Sequence, residues 1–134
     1  MKKVMFFVLA LICVLVLVGC FSVATEESLL FKEGKVNRIS VTSRPEEYSY
    51  SFTGNDARSI LDYLSNLNLI TDFKENPDSY YGMTWEISLE YENGDVVTIY
   101  HFGNKFIRTT GGAWYKMNYE EANHFNALLD ELSN

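Results

Sequence analysis

Trp85 to Met117 reads WEISLEYENGDVVTIYHFGNKFIRTTGGAWYKM, and its punctuation decides the fold. Trp85, Ile87, Leu89 and Tyr91 alternate with Glu86, Ser88, Glu90 and Glu92, the period of two that puts one residue set on each side of a strand. Asn93-Gly94 supplies the positive φ angles of a two-residue hairpin turn. A second strand, Asp95 to Phe102, ends at Gly103-Asn104. A third, Lys105 to Thr110, ends at Gly111-Gly112, and a fourth runs from Ala113 to Met117. Three dipeptide turns at this spacing predict a four-stranded antiparallel meander.

Working outward, Asn118-x-x-Glu121 is a capping-box signal, and the face Ala122, Phe125, Leu128, Leu129 and Leu132 predicts a closing helix. Upstream, Thr53-x-x-Asp56 opens a run in which Ala57, Ile60, Leu61, Leu64 and Leu67 recur at helical spacing. That predicts an amphipathic helix of about 13 residues, fraying at Asn66 to Asn68. Before it, Ile39 and Val41 alternate with polar residues, Ser43-Arg44-Pro45-Glu46 offers a turn, and Tyr48, Tyr50 and Phe52 alternate again. The order is ββαββββα. The expected fold is α+β, an antiparallel sheet (N-terminal hairpin plus four-stranded meander) packed with two amphipathic helices.

Two-residue turns fix a register, and with it the faces. One face carries Trp85 beside Phe102, Ile87 beside Tyr100 and Ile107, and Thr98 and Thr109 between Leu89 and Trp114. As the richer apolar face it should receive the helices. The other carries the rows Glu86–His101–Phe106–Met117 and Ser88–Ile99–Arg108–Tyr115, which mix aromatic, apolar and ionisable side chains. Two readings are open: a platform on which His101, Phe106, Arg108 and Tyr115 anchor a partner, or a secondary core covered by the N-terminal segment or hairpin. The segment Thr71 to Met83, TDFKENPDSYYGM, exceeds the length of about 12 residues beyond which structureless connections are functional or disordered. Its Tyr80 and Tyr81 suit a recognition loop; equally, with Phe73, they suit a crossover pinned to the core.

The N-terminus has a different character. Lys2-Lys3 precede an apolar run from Val4 to Val18 and then Leu17-Val18-Gly19-Cys20, the build of a secretory signal. At 15 residues the run is short of the roughly 18–20 that span a bilayer as a helix. The last four residues resemble the lipobox of bacterial lipoproteins, in which the Cys is diacylated on its sulfur and the chain is cut just before it. The resemblance implies a signal peptide at residues 1–19, a lipidated N-terminus and tether at 20–34, and one α+β domain at 35–134. It also implies attachment through Cys20 to the outer face of the bacterial cytoplasmic membrane. Fourteen tether residues reach at most about 45–50 Å. Within the tether, Ser28-Leu29-Leu30-Phe31 is expected to dock on the domain.

Processing would sharpen the charge. The whole chain carries a net −7; loss of Lys2 and Lys3 leaves 9 basic against 18 acidic residues, a net of −9. Such a surface repels phosphate backbones, so nucleic acid is not an expected partner. With Cys13 in the signal and Cys20 lipidated, no thiol is left for a disulfide or a metal.

Catalytic constellations are sparse. His101 and His124 are the only histidines, no Gly-x-Ser-x-Gly elbow occurs, and no metal-ligand spacing or phosphate-cradling glycine run is present. No cofactor is expected. In the predicted register His101 lies beside Glu86, a pair that would raise the histidine's pKa and that suits a structural salt bridge better than half of a catalytic site. The segments Asp72 to Pro77, Tyr81-Gly82-Met83, His101 to Arg108 and Gly112 to Tyr115 resemble a domain of unknown function in small lipoproteins of low-GC Gram-positive bacteria. Similar domains occur on the extracellular side of membrane sensors that resemble the β-lactam-sensing metalloprotease family. The resemblance implies an accessory or sensing role near the membrane and no catalytic residue. The expected function is therefore non-enzymatic: a lipid-anchored module that binds an envelope protein or wall-related ligand. An inhibitor or regulator of an extracytoplasmic enzyme is the alternative, and a hydrolase using His101 and Glu86 comes third.

Overall fold

The computed structural model describes residues 31, 32 and 34–134. The expected signal peptide, Cys20 and most of the expected tether lie outside the described residues. The elements in chain order are β1 (Val36–Arg44), β2 (Ser49–Phe52), α1 (Gly54–Ser65), β3 (Leu69–Ile70), a 3₁₀ turn (Pro77–Ser79), β4 (Thr84–Tyr91), β5 (Val96–Phe102), β6 (Phe106–Thr109), β7 (Tyr115–Met117) and α2 (Tyr119–Ser133). All seven strands form one antiparallel sheet in the order β2-β1-β4-β5-β6-β7-β3. The α+β class and the hairpin-plus-meander plan are those expected. The two-residue β3 is an addition: Leu69 and Ile70 pair with Met117 and Lys116 and cover the edge of β7. Two residues show no period, so β3 leaves no trace in the sequence.

Local signals account for the element ends. The buried Ser43 hydroxyl accepts from Tyr48 N at 3.0 Å and donates to Glu46 O, closing the β1–β2 turn. Asn118 caps α2 by accepting from the backbone N–H groups of Glu120 and Glu121, two of the donors that a helix start leaves unpaired. Thr53 occupies the cap position of α1, but its side chain makes no cap bond. Past the end of α1, Glu121 accepts from Asn68 N (2.9 Å) and Asn68 Nδ2 (2.5 Å), tying the two helices together.

Both helices lie on one side of the sheet. Ile39 and Val41 of β1, Trp85, Ile87 and Leu89 of β4, Ile99 of β5 and Ile107 of β6 meet Ala57, Ile60 and Leu64 of α1 and Ala122, Phe125 and Leu129 of α2 in one buried core. Phe31 packs on the edge of this core, while Lys32 N donates to Tyr91 Oη at 3.1 Å. The C-terminal part of the Ser28–Phe31 patch is thus docked.

The register within the meander differs from the expected one at every turn. Tyr91 N donates to Asp95 O at 2.9 Å and Gly94 N to Tyr91 O at 3.0 Å, so three residues, Glu92-Asn93-Gly94, make the turn. Only Gly94 is at positive φ (+90°). This is the three-residue hairpin with a glycine bulge rather than a two-residue turn. Trp85 therefore opposes His101, not Phe102. At the next turn Phe102 pairs with Phe106, and at the third Ile107 pairs with Tyr115. A slip of one residue turns a strand over. The first slip inverts β5, the second restores β6, and the third inverts β7. His101, Ile99, Tyr115 and Met117 therefore face the helices, and Tyr100, Phe102 and Trp114 face away from them.

Candidate functional site

The face turned away from the helices carries two aromatic rows. One runs Glu86, Tyr100, Arg108; the other runs Thr84, Phe102, Phe106, Lys116, Ile70. The crossover segment 71–83 lies over part of it, in place of the expected N-terminal segment or hairpin. Phe73 and Tyr80 pack on Phe106, with ring centroids 5.5 Å and 5.4 Å away. Pro77 is buried, and Glu75 pairs with Lys116, whose hydrogen bond holds the Glu75 carboxyl below its usual range. Asn76 accepts from Asp78 N at 3.2 Å and so shapes the 3₁₀ turn.

Where the crossover stops, a cleft of about 310 Å³ remains, lined by Pro77, Asp78, Tyr80, Thr84, Tyr100, Phe102, Arg108 and Trp114. Among the described residues that line it, Arg108 is the only cation. The guanidinium carbon lies 4.4 Å from the Trp114 ring centroid and 5.6 Å from that of Tyr100, so the charge is held between two aromatic faces. Among the described residues no carboxylate comes within ion-pair distance of Arg108. Its Nε and the indole Nε1 of Trp114 are both buried without an acceptor among the described residues. Glu86 is two strands away and lies 3.9 Å from Arg44 Nε. The cleft thus holds a half-buried cation with no carboxylate partner, beside two donors sealed from solvent.

The six partner-binding candidates separate. Arg108 lines the cleft. Phe106 is fully buried beneath the crossover. Tyr80 forms one wall, with Lys105 Nζ 4.4 Å above its ring, whereas Tyr81 is 100% exposed. Tyr115 and His101 turn inward, which corrects their assignment to a partner platform. Tyr100, Phe102 and Trp114 are the residues that the sequence reading put on the wrong face. One signal could have found them: Val97 and Ile99 are the more apolar set of β5 and belong with Ile87 and Leu89.

His101 also departs from its expected pairing with Glu86. It is fully buried, opposite Trp85, with Nε2 2.8 Å from Tyr63 Oη. Burial pushes its pKa down to about 4 rather than up, and burial raises that of Tyr63. The His101–Glu86 pair does not form, because the two side chains are on opposite faces. Among the described residues no three His, Cys, Asp or Glu side chains converge on a metal-sized point, and no helix is long and apolar enough to cross a membrane. A larger groove, about 620 Å³, runs by Phe31, Lys32, Val97 and Thr109; Lys32, in its lining, lies 3.7 Å from Asp95. No family model, curated protein or solved structure matches this chain.

Proposed function

We propose that this chain is a non-enzymatic binding module, lipid-anchored through Cys20 at the outer face of the bacterial cytoplasmic membrane, with the Arg108 cleft as its binding site. The observation that carries the reading is the unneutralised Arg108 guanidinium, held between Trp114 and Tyr100 in a concave site. An unpaired, partly desolvated charge costs stability, so its retention suits a ligand-binding role. A cleft walled by aromatics with one convergent charge has the composition of a small-ligand site. The lipobox resemblance at Leu17 to Cys20 supports the anchor, and the acidic surface leaves attachment to the lipid.

The test uses the intact lipidated protein in detergent, with tryptophan fluorescence as readout. Trp114 lines the cleft and Trp85 is buried on the other face. Fractionated envelope extract should quench wild type and leave Trp114→Phe, which keeps Trp85, unchanged. Equal quenching of both, or none in any fraction, rejects the cleft as the site. Regulation of an extracytoplasmic enzyme is a second reading, favoured by the full exposure of Tyr81; it would place the contact on that loop tip.

A further inference from the structure

We infer that the cleft takes a small monocarboxylate carried on a flat or apolar body, with the carboxylate against Arg108. This rests on the cleft being a binding site and names its ligand class. The Arg108 guanidinium lines the cleft with no carboxylate in ion-pair distance among the described residues, and its N–H groups can only donate. The partner it lacks is therefore an anionic acceptor.

The form of the donor narrows the class further. A guanidinium carries its N–H donors as a planar fork, and that fork matches the two oxygens of a carboxylate. Phosphate would match the fork too, but the surroundings select against a dianion. Asp78 stands in the same lining, where Arg108 is the only cation among the described residues; Lys105 lies instead 4.4 Å from the Tyr80 ring. The chain after the proposed cleavage has 9 basic against 18 acidic residues. One guanidinium neutralises one negative charge; a second would face Asp78 and the field of the whole surface.

The walls specify the rest of the molecule. Tyr80, Tyr100, Phe102 and Trp114 offer ring faces to a flat or apolar group. The volume, about 310 Å³, is at the low end for ligand sites and suits a single small molecule.

The experiment compares three probes on the intact lipidated protein: N-acetylphenylalanine, its uncharged amide, and phenyl phosphate, each followed by Trp114 fluorescence. The acid should bind wild type about ten-fold or more tightly than the amide, and more tightly than phenyl phosphate. Arg108→Met should remove the preference for the acid, so that acid and amide bind the variant within about two-fold of each other. Arg108→Lys, which keeps the charge and loses the fork, should fall between. Equal binding of acid and amide by wild type, a comparison that needs no variant, would overturn the carboxylate class while keeping the cleft as a site. Tighter binding of phenyl phosphate would overturn it in favour of a dianion. No response to the acid up to about 10 mM would overturn it too; the envelope-extract titration decides the broader reading separately.

Discussion

His101 stacks on Phe125 with ring centroids 4.9 Å apart, while its Nε2 shares a 2.8 Å hydrogen bond with Tyr63 Oη. A neutral imidazole is thus locked between the sheet and both helices. Its pKa falls to about 4 on folding, from an unfolded value of 6.5, because burial disfavours the charged ring. Above pH 6.5 both states are neutral and the group adds no pH dependence. As pH falls from 6.5 to 4 the unfolded chain takes up a proton that the folded chain does not, so stability declines through that window, by on the order of 3 kcal/mol. Urea melts across pH 4–7 should show this decline, and His101→Phe should flatten it. An unchanged slope in the variant would mean that other groups dominate.

Gly94 has nothing within 4 Å of where a Cβ would sit, yet its φ is +90°. Gly94→Val should therefore cost stability through the backbone alone, by about 1–2 kcal/mol or more. A lowered urea midpoint with unchanged slope is the expected result; an unchanged midpoint would contradict the bulged three-residue turn.

Tyr80 and Tyr81 are neighbours with opposite roles. Tyr80→Ala removes a ring packed on Phe106 and beneath Lys105 and should destabilise by about 1–3 kcal/mol. Tyr81→Ala should stay within about 0.5 kcal/mol. Paired thermal melts separate them; a large loss for Tyr81→Ala would place that ring against the domain.

Arg108→Met should leave stability within about 0.5 kcal/mol of wild type or raise it, since lost cation–π contact is offset by relief of a half-desolvated charge. A loss beyond about 2 kcal/mol would recast Arg108 as a structural residue.

Cys20→Ala should abolish incorporation of labelled palmitate and leave a heavier precursor that keeps residues 1–19. Equal labelling of variant and wild type would remove the anchor from the proposal.

The strands and helices were legible because period, caps and turn residues agreed: Trp85 to Tyr91 alternates without a break, and Asn118 marks the start of α2. The site was only partly legible. Arg108 and Phe106 fell on the correct face because two one-residue slips cancel at β6. Trp114, Tyr100 and Phe102 did not, because β5 and β7 each carry one uncancelled slip. Asn93-Gly94 is compatible with both turn lengths, and the choice is made by the burial of Val97 and Ile99 with Ile87 and Leu89. The crossover was ambiguous for another reason. Phe73 and Tyr80 meet Phe106 across more than 25 positions of chain, a contact that no local pattern encodes.

Lys32 meets Tyr91 and Asp95 at the β4–β5 turn, whereas the cleft opens beside Thr84 and Phe102 at the other end of the same strands. The rise along β4 puts about 20–25 Å between these two points. The leading segment thus enters the domain at the end opposite the cleft. In the proposed lipid-anchored form, the attachment point would leave the opening beside Arg108 unobstructed.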